Sequence, residues 1–403
     1  MTAVITGLGV TAPTGIGVAE HWDACLSGRS GLGPITHFDP GPYPVKFAGQ
    51  VPGFDTGTQV PNRLVPQTDR WTHLGLAAAR LALEDADVDP ADFGEFDMAV
   101  VTSSSSGGTE FGQKEIEKLW SRGPQWVGAY QSIAWFYAAT TGQVSIRYGM
   151  RGPCGVICTE QAGGLDALAQ ARRMLRHGAR LVVTGGTDAP MCPYGLTAQL
   201  ATGRLSLRDD PDRAYLPFDV DACGYLPGEG GAILVTETAE GARARGARIY
   251  AEIAGYAATF DPRPGSTGEP NLRRAAESAL ADAGLTPSDV DVVFADAAGD
   301  RDRDLIEATA ISALFGPHRV PVTVPKTLTG RLYAGGAALD VASAALALTH
   351  GVIPASYGIT EVAPGCDLDL VLDEARPAPL RSALVLARGH GGFNAALVLT
   401  SPT

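Results

Sequence analysis

The chain has 403 residues, 45% of them apolar and 19% charged, with 50 glycines, 28 prolines and a formal charge of −13. That length allows two or three domains of ordinary size, and the composition excludes a disordered chain or a small disulfide-stapled scaffold. The acidic balance, with no stripe of lysine and arginine, excludes nucleic acid as a partner.

In chain order, "TAVITGLGVTAPTG" is an apolar, β-rich run ending in turn residues, and "GVAEHWDACLSG" follows as a helix. "FDMAVVTSSSS" is a strand entering a small-residue loop, "GGTEFGQKEIEKLW" a helix, and "GVIC" an apolar run that reads as a buried strand. "AGGLDALAQARRMLRHG" is then a helix ending at Gly178, and "ARLVVTGGTDA" a further buried strand. A second series of similar rhythm starts near residue 249. It runs through the strand "IYAEIAGYAATFD", an amphipathic helix closed by Gly284, "VDVVFADAAG", "VPVTVPKTLTG" and an alanine-rich helix from about Ala334 to Leu348. "SALVLARGH" and "NAALVLT" close it. The alternation implies an α/β sheet with helices on its faces. The repeated rhythm implies two similar halves, residues 1–245 and 246–403, meeting near "TETAEGARARGARIY".

The six cysteines are scattered, and no secretory signal is visible, so reduced thiols in a cytoplasm are expected, most of them small core residues. Cys154 and Cys158 are four apart, but no histidine or further cysteine cluster accompanies them, so no metal is expected. No apolar run reaches the ~18 residues of a membrane span.

A strand turning sharply into a helix presents one side chain at the helix N-terminus, where free N–H groups and the helix dipole favour negative charge. In "CTEQAGGLDALAQARR" that side chain is Gln161. The segment "QAGGLDA" resembles the nucleophile segment of the thiolase-fold ketosynthases. Anchored on Gly164, Leu165 and Asp166, it puts Gln161 in the cysteine's place. "PFDVDACGYLPGEGGAIL" is similar to the family's stretch around "GEG", with Ala222 where arginine is usual. "VPKTLTGRLYAGGAALD" resembles the segment with the lysine and second histidine, and "RGHGGFNAALVL" the glycine-rich gate, with His390 where phenylalanine is usual. By this resemblance Lys326 matches the family lysine, while Asp296 and Arg331 stand in the two histidine positions. The implied fold is α/β, a thiolase-like five-layered α/β/α/β/α sandwich built from two similar halves.

An amide cannot form a thioester, and Asp with Arg cannot supply the neutral donor pair that stabilises a thioester enolate. Cys158 is an alternative nucleophile, but in an apolar strand its thiol pKa would rise. Gln for Cys, with "VPKTLTGRLY" and "WFYAATTGQVSIRYGMRGP", resembles the chain length factors, the ketosynthase beta subunits of type II polyketide synthases. The resemblance implies a chain that pairs with a ketosynthase alpha subunit and helps set polyketide length, with no cofactor and no condensation of its own. An acidic chain repels an acidic acyl carrier protein, so the carrier would dock mainly through the partner.

Thr109, Gly112 and Ile116 share one helix face and match positions by which the family is thought to close its tunnel. Their modest volume implies a deeper tunnel and a product longer than the octaketide class; the alternative is that Gly112 permits close packing at a dimer interface. Two further expectations concern the degenerate site. Gln161 either donates a hydrogen bond that promotes malonyl-carrier decarboxylation, making acetyl primer, or fills a vestigial cavity. Asp296 and Arg331 are expected to converge and neutralise each other as a plug.

Overall fold

A computed structural model of the chain describes residues 1–263 and 267–402. The N-terminal run contains β1 (Ala3–Ala12), α1 (Arg70–Asp85), β2 (Met98–Ser103), α2 (Thr109–Arg122), β3 (Cys154–Ile157), α3 (Gly163–Arg176), β4 (Leu181–Asp188) and β5 (Gly230–Thr238). The C-terminal run contains β6 (Ala251–Phe260), α4 (Leu272–Ala283), β7 (Val292–Phe294), α5 (Arg301–Phe315), β8 (Pro321–Thr323), α6 (Ala334–His350), β9 (Ser382–Arg388) and β10 (Phe393–Thr400).

The strands of the first run lie in the order β3-β2-β4-β5-β1, those of the second in the order β8-β7-β9-β10-β6. In each run the first three are parallel and the fourth is antiparallel to both neighbours. The two series therefore share one topology. They join where β1 and β6 pair at Val4–Glu252 and Ile5–Ala251.

Side chains alternate between the two faces of each strand, which divides the core into layers. Ala99 and Val101 of β2 face α3 and α6 in a central core that also takes Val385 and Leu397 from the second run. Met98 and Val100 face α1 on one outer side, and Leu384 and Val398 face α4 on the other. The result is helix, sheet, helix, sheet, helix. The middle layer requires α3 and α6 to approach closely, and small residues permit it: a Cβ on Gly164 would stand 2.5 Å from the Ala338 nitrogen. Helix α6 is buried from Ala334 to Leu348 on every side, as a helix inside a large core must be.

Two expectations are corrected. "GVIC" is not a buried strand, because β3 lies at the edge of the sheet; Cys154 is exposed, and Cys158 follows the strand and is also exposed. Nor are most cysteines core residues: Cys25, Cys192 and Cys366 are buried, and Cys223 joins the exposed pair. All six are free thiols.

Candidate functional site

The turn from β3 into α3 passes through a tight helical turn, Glu160–Ala162. Glu160 takes a left-handed φ of 51°, a conformation L side chains rarely adopt. Its carboxylate accepts the backbone N–H of His390 at 2.7 Å and so ties the turn to the glycine-rich loop after β9; the His390 side chain is exposed. This strained elbow delivers Gln161 into the interior. The residue is fully buried, and neither amide Oε1 nor Nε2 has a hydrogen-bond partner. It faces Gly336 of α6, where a Cβ would lie 3.4 Å from Oε1.

Asp296 follows β7 and meets Arg331 from the segment before α6. Arg331 Nη2 donates to Asp296 Oδ1 at 3.0 Å, and Nη1 donates to the Asp296 and Ala297 carbonyls at 2.8 and 3.0 Å. Arg388, the last residue of β9, adds its backbone N–H to Oδ1 at 2.9 Å and its Nε to Oδ2 at 3.4 Å. Lys326 donates to the Ala295 and Asp296 carbonyls at 3.0 Å and lies 2.7 Å from Asp340 Oδ2 on α6. Glu307 of α5 accepts the Asp296 and Ala297 N–H groups at 2.7 and 2.9 Å. Three buried cations thus face Asp296, Glu307 and Asp340.

Burial alone would raise the Asp296 carboxyl, but the charges of Arg331, Lys326 and Arg388 outweigh it and hold the group well below the usual carboxylate range. Burial also dominates at Asp340, raised to about 6 despite Lys326. His21 is bonded to Thr14 and Ser343, and burial lowers it to about 4, so it is neutral. The cluster is a self-neutralised block that contains no thiol: Asp296 and Asp340 are held by Arg331 and Lys326, and Glu307 by backbone N–H groups. Cys158 carries no activation: although the residue is exposed, partial burial of its thiol and then Asp188 raise it.

Sequence reasoning brought out Asp296, Lys326 and Arg331, which the fold gathers, but it missed Arg388. Its signal was a lone arginine ending the apolar strand "SALVLAR". Thr109, Gly112 and Ile116 lie apart from this cluster on α2. Thr109 is partly buried, Gly112 buried and Ile116 49% exposed. The space beside Gly112 is not open, because the Trp135 indole covers it within the same chain: a Cβ there would be 2.9 Å from Trp135 Cδ1. Around α2 a belt of large apolar side chains is exposed, among them Ile116, Trp120, Trp126, Ile133, Trp135 and Phe136.

The beta-ketoacyl synthase N-terminal domain matches residues 2–241, and the C-terminal domain of the same family matches residues 250–360. A tetracenomycin polyketide synthase ketoacyl synthase beta subunit from Streptomyces glaucescens is 54% identical, over 98% of this chain and 97% of its own. The solved ishigamide ketosynthase/chain length factor superposes with a TM-score of 0.92 at 29% identity, over 100% of this chain and 99% of that one. The chain belongs to the beta-ketoacyl synthase family, among the beta subunits called chain length factors. Another beta-ketoacyl synthase relative in structure is a type II polyketide ketosynthase bound to the hexaketide, in complex with its acyl carrier protein. It matches with a TM-score of 0.89 at 27% identity, over 100% of this chain and 99% of that one.

Proposed function

We propose that this chain is the non-condensing subunit of a type II polyketide synthase, pairing with a ketosynthase alpha subunit and shaping the tunnel that sets poly-β-ketone length. The observation that carries the reading is the state of the degenerate site: a buried amide at the nucleophile position beside an ion cluster that neutralises itself. Such a site offers an amide where covalent capture of an acyl thioester needs a nucleophile. The exposed apolar belt around α2 and the open edge of β3 are the surfaces the alpha subunit would cover. An acyl carrier protein reaches the pair mainly through the alpha subunit, since this chain carries a formal charge of −13. Free thiols fit a reducing cytoplasm.

A second reading has one observation in its favour. Gln161 keeps both amide atoms unpartnered, so its Nε2–H is available to donate to a thioester carbonyl. Malonyl decarboxylation by this residue would make an acetyl primer; against it, Arg331 is already engaged by Asp296 and two carbonyls. Primer formation by the assembled pair with Gln161→Ala decides: a lost rate supports decarboxylation, and an undiminished rate leaves the length-setting role alone.

A further inference from the structure

Resting on the length-setting reading above, we propose that Trp135 forms the chain's own wall at the level of Gly112, and that the side chain at position 112 acts by moving this indole. The backbone of Ala134 and Trp135 lies directly against the start of α2. A Cβ on Gly108 would stand 2.1 Å from the Ala134 carbonyl oxygen, and one on Gly107 2.8 Å from the Trp135 carbonyl oxygen. The Gly108 N–H also donates to that Trp135 carbonyl at 3.2 Å. The root of the side chain is therefore clamped on the start of α2. The indole is different: it is 49% exposed, and its Cδ1 and Nε1 would lie 2.9 and 3.4 Å from a Cβ at position 112. A contact under 3 Å cannot persist between two such atoms, so a side chain at 112 displaces the ring from the helix, toward the face that the alpha subunit would cover. Glycine at 112 does not leave a void; it lets the indole lie flush on the helix. The size of residue 112 is thereby converted into the position of a much larger group.

The test is a double-mutant cycle in the assembled pair: Gly112→Thr, Trp135→Ala and both together, with product length read by mass spectrometry. Trp135→Ala should lengthen the polyketide by a two-carbon unit or more, and Gly112→Thr should change the length only while the indole is present. An equal effect of Gly112→Thr with and without the indole, or an unchanged product from Trp135→Ala, overturns the proposal. If Ile116→Trp also leaves length unchanged at normal turnover, the length-setting reading falls instead. Should Trp135→Ala fail to assemble, the free chain labelled with 5-fluorotryptophan still decides, with the Trp135 signal assigned by Trp135→Phe. A shift of that signal in Gly112→Thr supports displacement of the ring, and an unmoved signal contradicts it.

Discussion

Arg331 presents a rigid fork of donors, and the fold uses it on one carboxylate and two carbonyls inside the core. Removing it with Arg331→Ala leaves Asp296 buried with only part of its compensation, so unfolding free energy in denaturant should fall by about 3–5 kcal/mol. The double change Asp296→Leu with Arg331→Met should cost less than Arg331→Ala, because no charge is then stranded. A double variant weaker than the single would contradict the plug. The carboxylates also fix a pH dependence. Asp304, raised to about 7 chiefly by burial, accepts the Phe218 and Gly299 N–H groups. Its folded pKa lies above the unfolded value of about 4, so its contribution is complete below that pH and is lost as pH rises through about 7. Asp296 has the opposite sign: its contribution is present above about pH 4 and is lost only in strong acid. Melting curves of Asp304→Asn should therefore show a smaller loss of stability between pH 5 and 8 than the parent, as about those limits bracket the titration. An unchanged pH slope would count against burial as the cause.

At the scale of elements, the contact between α3 and α6 is the tightest constraint on the site, because these helices carry Gln161 and Gly336 to each other. Gly164→Ala places a methyl against the backbone of α6 and should destabilise the fold by about 1–3 kcal/mol. Gly142, in the helix Ala139–Tyr148, has open space where its Cβ would go, so Gly142→Ala should be neutral or stabilising by up to about 1 kcal/mol. Denaturant unfolding of both variants checks the contrast; equal effects would refute the close approach. Elements of this kind were legible in sequence, because hydrophobic period and glycine punctuation are local: α3, α4 closed by Gly284, and α6 all stand where their patterns put them. Strand order is not local. "GVIC" has the letters of a core strand, and only the order β3-β2-β4-β5-β1 reveals it as an edge. Trp135 over Gly112 was hidden for the same reason, since nothing in either segment announces their contact.

Across the whole molecule, the degenerate cluster was legible in its three anchored positions, whereas Arg388 reaches Asp296 from 92 residues away, a meeting only the sheet creates. The molecule shows two unlike regions: a closed, charge-balanced interior beside the buried Gln161, and an open apolar belt around α2. A protein that exposes Trp120 at 82% and Phe136 at 56% is built to be covered. Binding of a hydrophobic dye should accordingly fall when the alpha subunit is added, and Trp120→Glu should weaken the pair; dye binding unaffected by the partner would place the interface elsewhere. The central claim is that this chain shapes a product it does not itself make. Intact-mass measurement of acyl transfer from malonyl carrier protein, on this chain alone and paired with its alpha subunit, tests it most directly. The account predicts no acyl adduct on this chain in either sample, and polyketide only from the pair, with any adduct on the partner. An acyl adduct on this chain, at Cys158 or elsewhere, together with condensation in the partner's absence, would contradict it.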